Sequence, residues 1–598
     1  MKKLLLTLTL ICSVSAWSCE QGLPMPPKQE QDKDDKEENK EDNKEDDGQR
    51  DEPKQIVVNG TTINDATTLY GVVTNTQTGQ GIENIVVSDG FICVTTDSNG
   101  VYQIVRNKNC EMVNISIPAE YEIPVDGGNH PAFYKRFINS KDEKFRHDFA
   151  LTPLPGGKQS EFTLLTLADI QLNDTNDADR FRDETMPDID QLLPTLVNPI
   201  AVTLGDDTNK NNSAMWTKVK QITANQKVSI FHCMGNHDHL NELSPDDHSK
   251  STTYWKSVEN FHKYFGPQNY SFSRSDTHIV VMDNALHGET PPPGEDYEYA
   301  AGFYDWQFEW LKQDLSYVPK DKMVLLCVHI PFRDGKGGNH SDERYRQKVL
   351  NLLSEYQEVH LLIGHTHKQA TWIHTVNGKK IYEHIHGAVC GGMWHSTVCV
   401  DGTPNGYGVF IGEGNTFSDW YYMGYNEGMN TREHQLRLHR GNAITGAPRQ
   451  SKSGTNGTGY YSFNFAEDVI IANVFNADDT WKIEVYEDDV KTGEMKQIAT
   501  KSVSYDKLIG SYTMSDPRRI ASGTIAPYDV WTAGIQVGEL NRVGSNGSWI
   551  QCYHLYQYKL KNPNAKVRVV AIDRFGNRYS SDRFIDYRDN NIGKKPQN

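Results

Sequence analysis

Positive charge is scarce in this sequence. Its 61 lysines and arginines face 79 aspartates and glutamates, a formal net charge of −18, and that balance leaves no electrostatic footprint for nucleic acid. Long apolar runs are scarce as well: the stretch 4–11 is too short to cross a bilayer. No internal repeat of fixed period stands out. Cysteine is sparse and uneven. Of nine cysteines, Cys12 and Cys19 fall in the N-terminal leader, leaving Cys93, Cys110, Cys233, Cys327, Cys390, Cys399 and Cys552. These seven cannot all pair. Cys93 with Cys110 and Cys390 with Cys399 are the nearest partners in sequence, but buried reduced thiols are the commoner outcome at such apolar positions, and no bridge is assigned.

What is present begins with a leader. Lys2-Lys3, the apolar run and the small residues of 13–16 follow the charge, apolar, cleavage-site order of a secretory signal, expected within residues 1–19. Cleavage after Ala16 would free a soluble chain. Cleavage directly before Cys19 would resemble a bacterial lipoprotein and place a lipid anchor on Cys19, although Trp17 departs from that pattern. Either route exports the protein, to the periplasm, the cell surface or the medium. Residues 20–66 are expected to be an acidic, disordered tether: 30–54 holds thirteen acids against six bases and almost nothing apolar, too little to offset the entropy of ordering.

A chain of 598 residues exceeds what one core supports, so several domains are expected. In 67–155, short alternating strands surround the turn Asp97-Ser98-Asn99-Gly100. With Gly71-Val72-Val73, Gly81-Ile82, Val86-Val87 and Tyr102, this run resembles the carboxypeptidase-regulatory-like β-sandwich, which implies a spacer or docking module without chemistry of its own. In 160–412, buried apolar strands (162–167, 200–204, 228–233, 323–328, 359–363) alternate with helical stretches (306–315, 343–353), an α/β pattern. Residues 270–282 read as a hairpin through Arg274-Ser275-Asp276, which makes the sheet mixed. Residues 413–598 return to short β segments, a third, β-rich domain.

The informative residues stand where the apolar strands give out: Ala168-Asp169-Ile170-Gln171, Gly205-Asp206-Asp207, Gly235-Asn236-His237-Asp238, His329 before Ile330-Pro331, and Gly364-His365-Thr366-His367. Ligands of open α/β sheets bind at the carboxyl ends of strands, so the five can share one crevice. Together they resemble the calcineurin-like metallophosphoesterase family. That resemblance implies a central four-layer α/β/β/α sandwich with mixed sheets, flanked by the two β domains.

Hydrolysis of a phosphate ester needs a strong nucleophile at neutral pH and positive charge on oxygens that gain negative charge, which two divalent ions supply. By the resemblance, Asp169, Gln171 and His367 bind the first ion, Asn236, His329 and His365 the second, and Asp206 bridges them, with a hydroxide between the ions attacking phosphorus. His237 then contacts the phosphate and acts as acid toward the departing oxygen. Asp238 either orients that ring or stabilises its own turn. Gln171 departs from the histidine usual in the family; it is either an amide ligand or a supporting hydrogen bond, and it shifts the expected metals from zinc or iron toward manganese or magnesium.

Some residues stay open. Asp207 either contacts substrate or solvates its loop, and Trp394-His395-Ser396 either lines the crevice or belongs to the core. His232, His239, His384 and His386 are expected to be structural. The expected function is an exported phosphoesterase acting on phosphomonoesters or phosphodiesters of a small molecule or the cell envelope. Two alternatives remain: a nucleotide or lipid diphosphate pyrophosphatase, since Asp-x-Gln also occurs in branches acting on such linkages, and a non-catalytic envelope-binding protein with a structural metal site.

Overall fold

The computed structural model describes residues 55–137, 144–209, 213–239, 253–287, 299–333, 343–390, 399, 401–425, 430–446, 459–463, 465–498, 509–513 and 553–584. The leader, the acidic run, Cys12, Cys19, Cys552 and Trp394-His395-Ser396 lie outside those residues.

Seven-residue β1 (Glu161–Leu167) opens the central region, and β2 (Pro199–Thr203) and β3 (Ile230–Phe231) line up parallel to it. A second sheet holds β4 (Asn269–Arg274), β5 (Thr277–Met282), β6 (Met323–Val328), β7 (Glu358–Ile363), β8 (Ala370–Val376) and β9 (Lys379–Ile385), in the order β4-β5-β6-β7-β9-β8. Strands β5, β6, β7 and β9 are parallel, while β4 and β8 run antiparallel at the edges, so the sheet is mixed as the 270–282 hairpin requires. Ser275 turns that hairpin with φ 51°. The first sheet is completed by β10 (Gly406–Glu413) and β11 (Thr416–Gly424), β10 lying antiparallel to β1. The first sheet therefore continues past residue 412.

Alternation of side chains along these strands builds three layers of packing. Phe162, Leu164 and Val202 of one sheet meet Ile279, Val281 and Leu325 of the other in a shared core. The opposite face of the first sheet, with Leu165, Leu167 and Ala201, packs on Trp216 of α3 and Phe261 of α4, in the series α1 (Thr175–Arg180), α2 (Met186–Leu192), α3 (Ser213–Ala224) and α4 (Glu259–Tyr264). The outer face of the second sheet, with Val280, Val324 and Leu326, packs on Trp310 of α5 (Asp305–Ser316) and Val349 of α6 (Glu343–Leu353). This is the four-layer α/β/β/α arrangement. A buried leucine in such a layer stabilises the fold by about 2–5 kcal/mol relative to alanine.

Ahead of it, two four-stranded sheets form the N-terminal sandwich, one built on Leu69–Asn75, the other on Val86–Ser88 and Met112–Ile115. Gly71 is obligatory there, because a Cβ would sit 1.8 Å from the carbonyl oxygen of His147. The sandwich is no loose spacer. Val87, Val113 and Ile117 belong to the same core as Phe162 and Phe272, and Trp310 Nε1 donates to Ser88 Oγ at 2.9 Å. Residues 55–66, expected as tether, instead contribute the pair Val57–Val58 and Thr61–Thr62, with Val58 and Ile63 buried against Tyr70 and Val72. Those apolar side chains are what 30–54 lacks. The C-terminal region is β-rich, with two four-stranded sheets closing on Leu438, Val474, Val485 and Val569.

Candidate metal centre

Each singled-out residue follows the carboxyl end of a strand: Asp169 after β1, Asp206 after β2, Asn236 after β3, His329 directly after β6 and His365 after β7. The chain must turn sharply at each place. Asp169, Gln171, Asp206, His365 and His367 all hold left-handed backbone, with φ between 45° and 74°, a conformation that non-glycine residues adopt at a cost and that clusters at functional sites. Main-chain bonds hold the turns together: Gln171 N donates to Asp206 O at 2.7 Å, and Asp169 N to Gly205 O at 3.2 Å.

The motif glycines are explained by close approach. A Cβ on Gly205 would lie 2.6 Å from His329 Nδ1, one on Gly235 2.3 Å from Asp206 Oδ1, and one on Gly364 2.9 Å from Asp169 Oδ2. Glycine is thus the residue that lets loops from separate strands press their side chains together.

The structure brings all six expected core ligands to one place. Asp206 Oδ2 lies 3.0 Å from His329 Nε2, and the same oxygen accepts from Gln171 Nε2 at 3.1 Å. Asn236 Oδ1 sits 3.0 Å from both His329 Nε2 and His365 Nδ1, and those two ring nitrogens are 3.2 Å apart. On the other side, Asp169 Oδ1 lies 3.3 Å from His367 Nε2, while the Asp169 carboxylate accepts from the His365 backbone at 2.9 Å. Asp206 stands between Gln171 and His329, in contact with both. Gln171 meets Asp206 through its side-chain amide.

This donor set fits divalent cations. Ligand atoms of Asp206, His329 and His365 lie within 4.8 Å of one another, carrying lone pairs that only protons or a cation can keep together. His329 Nδ1 donates to Leu204 O at 2.8 Å, which fixes the tautomer and aims Nε2 at Asp206, the orientation a metal-ligating imidazole takes. Burial opposes charge on Asp206, yet the facing imidazoles of His329, His237 and His365 hold its carboxyl well below the usual range. Burial likewise disfavours the charged His329, but Asp206 outweighs it and raises the imidazole to about 9. The electrostatics are those of a carboxylate waiting for positive charge.

His237 donates its backbone N–H to Asp206 Oδ1 at 2.8 Å. Its partly exposed ring makes no hydrogen bond to a described residue. Asp238 does not orient that ring: its carboxylate accepts from the backbones of Gly235, Asp207 and Thr208 at 2.9–3.1 Å, so it is the turn-stabilising residue. Asp207 neither reaches substrate nor solvates its loop. It is fully buried, with Oδ2 2.5 Å from His232 Nδ1. Burial raises the Asp207 carboxyl and lowers the His232 imidazole, disfavouring charge on both partners. His239 bonds Ser257 and Asp283, and His384 and His386 are buried. Six cysteines among the described residues are buried and unbridged.

One supporting group escaped the sequence reading. Asp401 Oδ2 accepts from the Gln369 backbone at 2.7 Å and lies 2.9 Å from His554 Nε2, tying the loop after His367 to the C-terminal domain. Nothing local in the sequence signals a pairing of such separation.

Comparison with known proteins bears on the whole chain. Family models for the N-terminal part, the catalytic part and the C-terminal part of calcineurin-like phosphoesterases match residues 67–154, 162–369 and 383–579. No curated protein matches the sequence. Among solved structures, the sulfate thiohydrolase SoxB of Thermus thermophilus, in complex with glycerol, is 10% identical over 45% of this chain, which spans 57% of the SoxB chain, with a TM-score of 0.25. A metallophosphoesterase from Sphaerobacter thermophilus is 12% identical over 45% of this chain and 91% of its own, with a TM-score of 0.19. Neither structure bears on substrate. The three consecutive family matches, laid over strand-end loops that gather carboxylates, an amide and imidazoles, show that this chain belongs to the calcineurin-like phosphoesterase family and is a metal-dependent hydrolase.

Proposed function

We propose that the protein is an exported phosphoesterase that cleaves phosphomonoesters or phosphodiesters of a small molecule or of the cell envelope at a two-cation centre. The observation that carries this is the sharing of Asp206 between the Gln171 side and the His329 side of one buried cluster. Asp169, His367 and the Gln171 amide would hold one cation, Asn236, His329 and His365 the other, with Asp206 between them. Bound there, divalent cations would supply Lewis-acid charge and a nucleophile at neutral pH. Oxygen ligands at the first position favour manganese or magnesium over zinc or iron.

The protein's own part is placement and proton delivery. Asp206 is pinned by the His237 backbone and His329 by Leu204, so the ligands are set before substrate arrives. The free ring of His237 would contact the phosphate and give its proton to the leaving oxygen. Export rests on the leader pattern, and lipid attachment on Cys19. Full-length protein loaded with manganese should hydrolyse members of a phosphate-ester panel and lose that activity on chelation; a metal-loaded protein inert toward every ester would sink the proposal. Gln171 favours a second reading, a diphosphate pyrophosphatase, and direct comparison of aryl phosphodiesters with nucleotide diphosphates chooses between them.

A further inference from the structure

The end of the second sheet remote from the metal centre carries another constellation. Ser273 and His278 are cross-strand partners in the β4–β5 hairpin, with Ser273 Oγ 3.1 Å from His278 Nδ1. The other ring nitrogen, Nε2, lies 2.8 Å from Asp314 Oδ2 on α5. Asp314 is buried and held a second time by the hydroxyl of Ser271, 2.6 Å from Oδ1. All three of Ser273, His278 and Asp314 line a cavity of about 180 Å³ at the seam with the N-terminal sandwich, whose Asn84, Ser116 and Ala119 form its other wall.

This is not an extension of the metal site. His278 pairs with Val324 near the start of β6, whereas His329 follows the far end of that strand. Five residue steps along the chain separate Val324 from His329, on the order of 16 Å. The metal-centre chemistry leaves these three residues without a role.

We propose that Ser273, His278 and Asp314 form a second, metal-independent hydrolytic site for small carboxylic esters. The roles follow from the hydrogen bonds. Asp314 accepts from Nε2–H of His278, so Nδ1 keeps the lone pair that accepts the Ser273 proton. The two ring nitrogens exchange the duties they have in other serine hydrolases, which the near symmetry of imidazole permits. Ser273 Oγ bonds to the ester carbonyl carbon as its proton passes to Nδ1, and Asp314 stabilises the imidazolium. The C–O bond to the alcohol then breaks, and the alcohol leaves with the proton from Nδ1. Water repeats the sequence: its proton goes to His278, its hydroxyl to the acyl carbon, and the acid departs as Ser273 recovers a proton. Lys158 and Lys322 line the same cavity, both paired with Asp276. The cavity's size restricts the acyl group to a short one.

The test is a phosphonofluoridate probe on the native full chain with EDTA present, read by peptide mass spectrometry. The expected result is a single phosphonyl adduct on Ser273, with fluoride displaced. A His278→Gln variant should be labelled at least 100-fold more slowly. Ser273→Ala should abolish both the adduct and chelator-resistant hydrolysis of short-chain acyl esters, while phosphate-ester turnover of the metal-loaded protein stays unchanged. A folded native chain that takes no adduct at Ser273 overturns the proposal even where Ser273→Ala fails to fold. So does a Ser273→Ala protein that still cleaves the esters, the result expected if this network only joins two domains.

Discussion

His554 Nε2 stands 2.9 Å from Asp401 Oδ2, and that same oxygen receives the backbone N–H of Gln369 at 2.7 Å. Asn473 closes the group, with Oδ1 2.6 Å from His554 Nδ1 and its amide nitrogen donating to the Asp401 carbonyl. All are buried. A residue of the C-terminal domain therefore holds the loop that presents His365 and His367.

Removing His554 strips a partner from a buried carboxylate and loosens the loop two residues beyond His367. Outer partners of this kind are worth about 10–100-fold in metal affinity. His554→Ala should weaken binding of the first cation by about that factor, with His554→Gln recovering much of it. Calorimetric metal titration of the two variants checks this; unchanged affinity in both would show that the link does not reach the centre.

The Asp206–His329 pair makes the metal-free protein sensitive to alkali. With its imidazole raised from 6.5 to about 9, His329 contributes stability that is complete below pH 6.5 and is lost as pH rises through about 9, worth about 3 kcal/mol. Asp206, lowered by its imidazole partners against the opposing effect of burial, contributes above the ordinary carboxylate range and loses that contribution only as acid reaches its depressed value. Metal-free protein should therefore denature at lower temperature at pH 10 than at pH 7. Metal uptake at pH 7 should release about one proton from His329, detectable by calorimetry in two buffers of different ionisation enthalpy. A melting temperature flat across that range would contradict the pairing.

His237 bonds the site through its backbone alone among the described residues. His237→Ala should leave metal content unchanged and lower kcat by about 10²–10⁴. The loss should shrink for esters with strongly acidic leaving alcohols, which depart without a proton. An equal loss for every leaving group would assign the ring to phosphate binding instead.

Gly235→Ala would drive a Cβ to 2.3 Å from both the Asp206 backbone nitrogen and Oδ1. Since neither can withdraw without moving the shared carboxylate, the variant should fold with a cost of about 1–3 kcal/mol and bind metal far more weakly. Native metal stoichiometry and affinity in Gly235→Ala would disprove this reading of the turn.

The core ligands were legible because strand ends are legible: an apolar run that stops at Gly-Asn-His-Asp or Gly-His-Thr-His announces both the fold and the site. The hairpin at Ser275 could be read for the same local reason. What escaped was pairing across distance. Periodicity says which face of β10 is buried but not that β10 lies beside β1. It cannot show that Asp207 meets His232, that Asp401 meets His554, or that the N-terminal sandwich shares a core with Phe162. Asp238 was ambiguous because an acid beside a histidine reads alike whether it serves the ring or the backbone, and three donors from the backbone settle it.

Metal content of purified wild-type and Asp206→Ala protein, measured by elemental mass spectrometry after manganese loading and desalting, tests the shared-carboxylate centre most directly. Wild-type chain should carry about two ions, as a dinuclear centre requires, and the variant should retain neither firmly. An Asp206→Ala protein that keeps both ions and full phosphate-ester turnover would contradict the account.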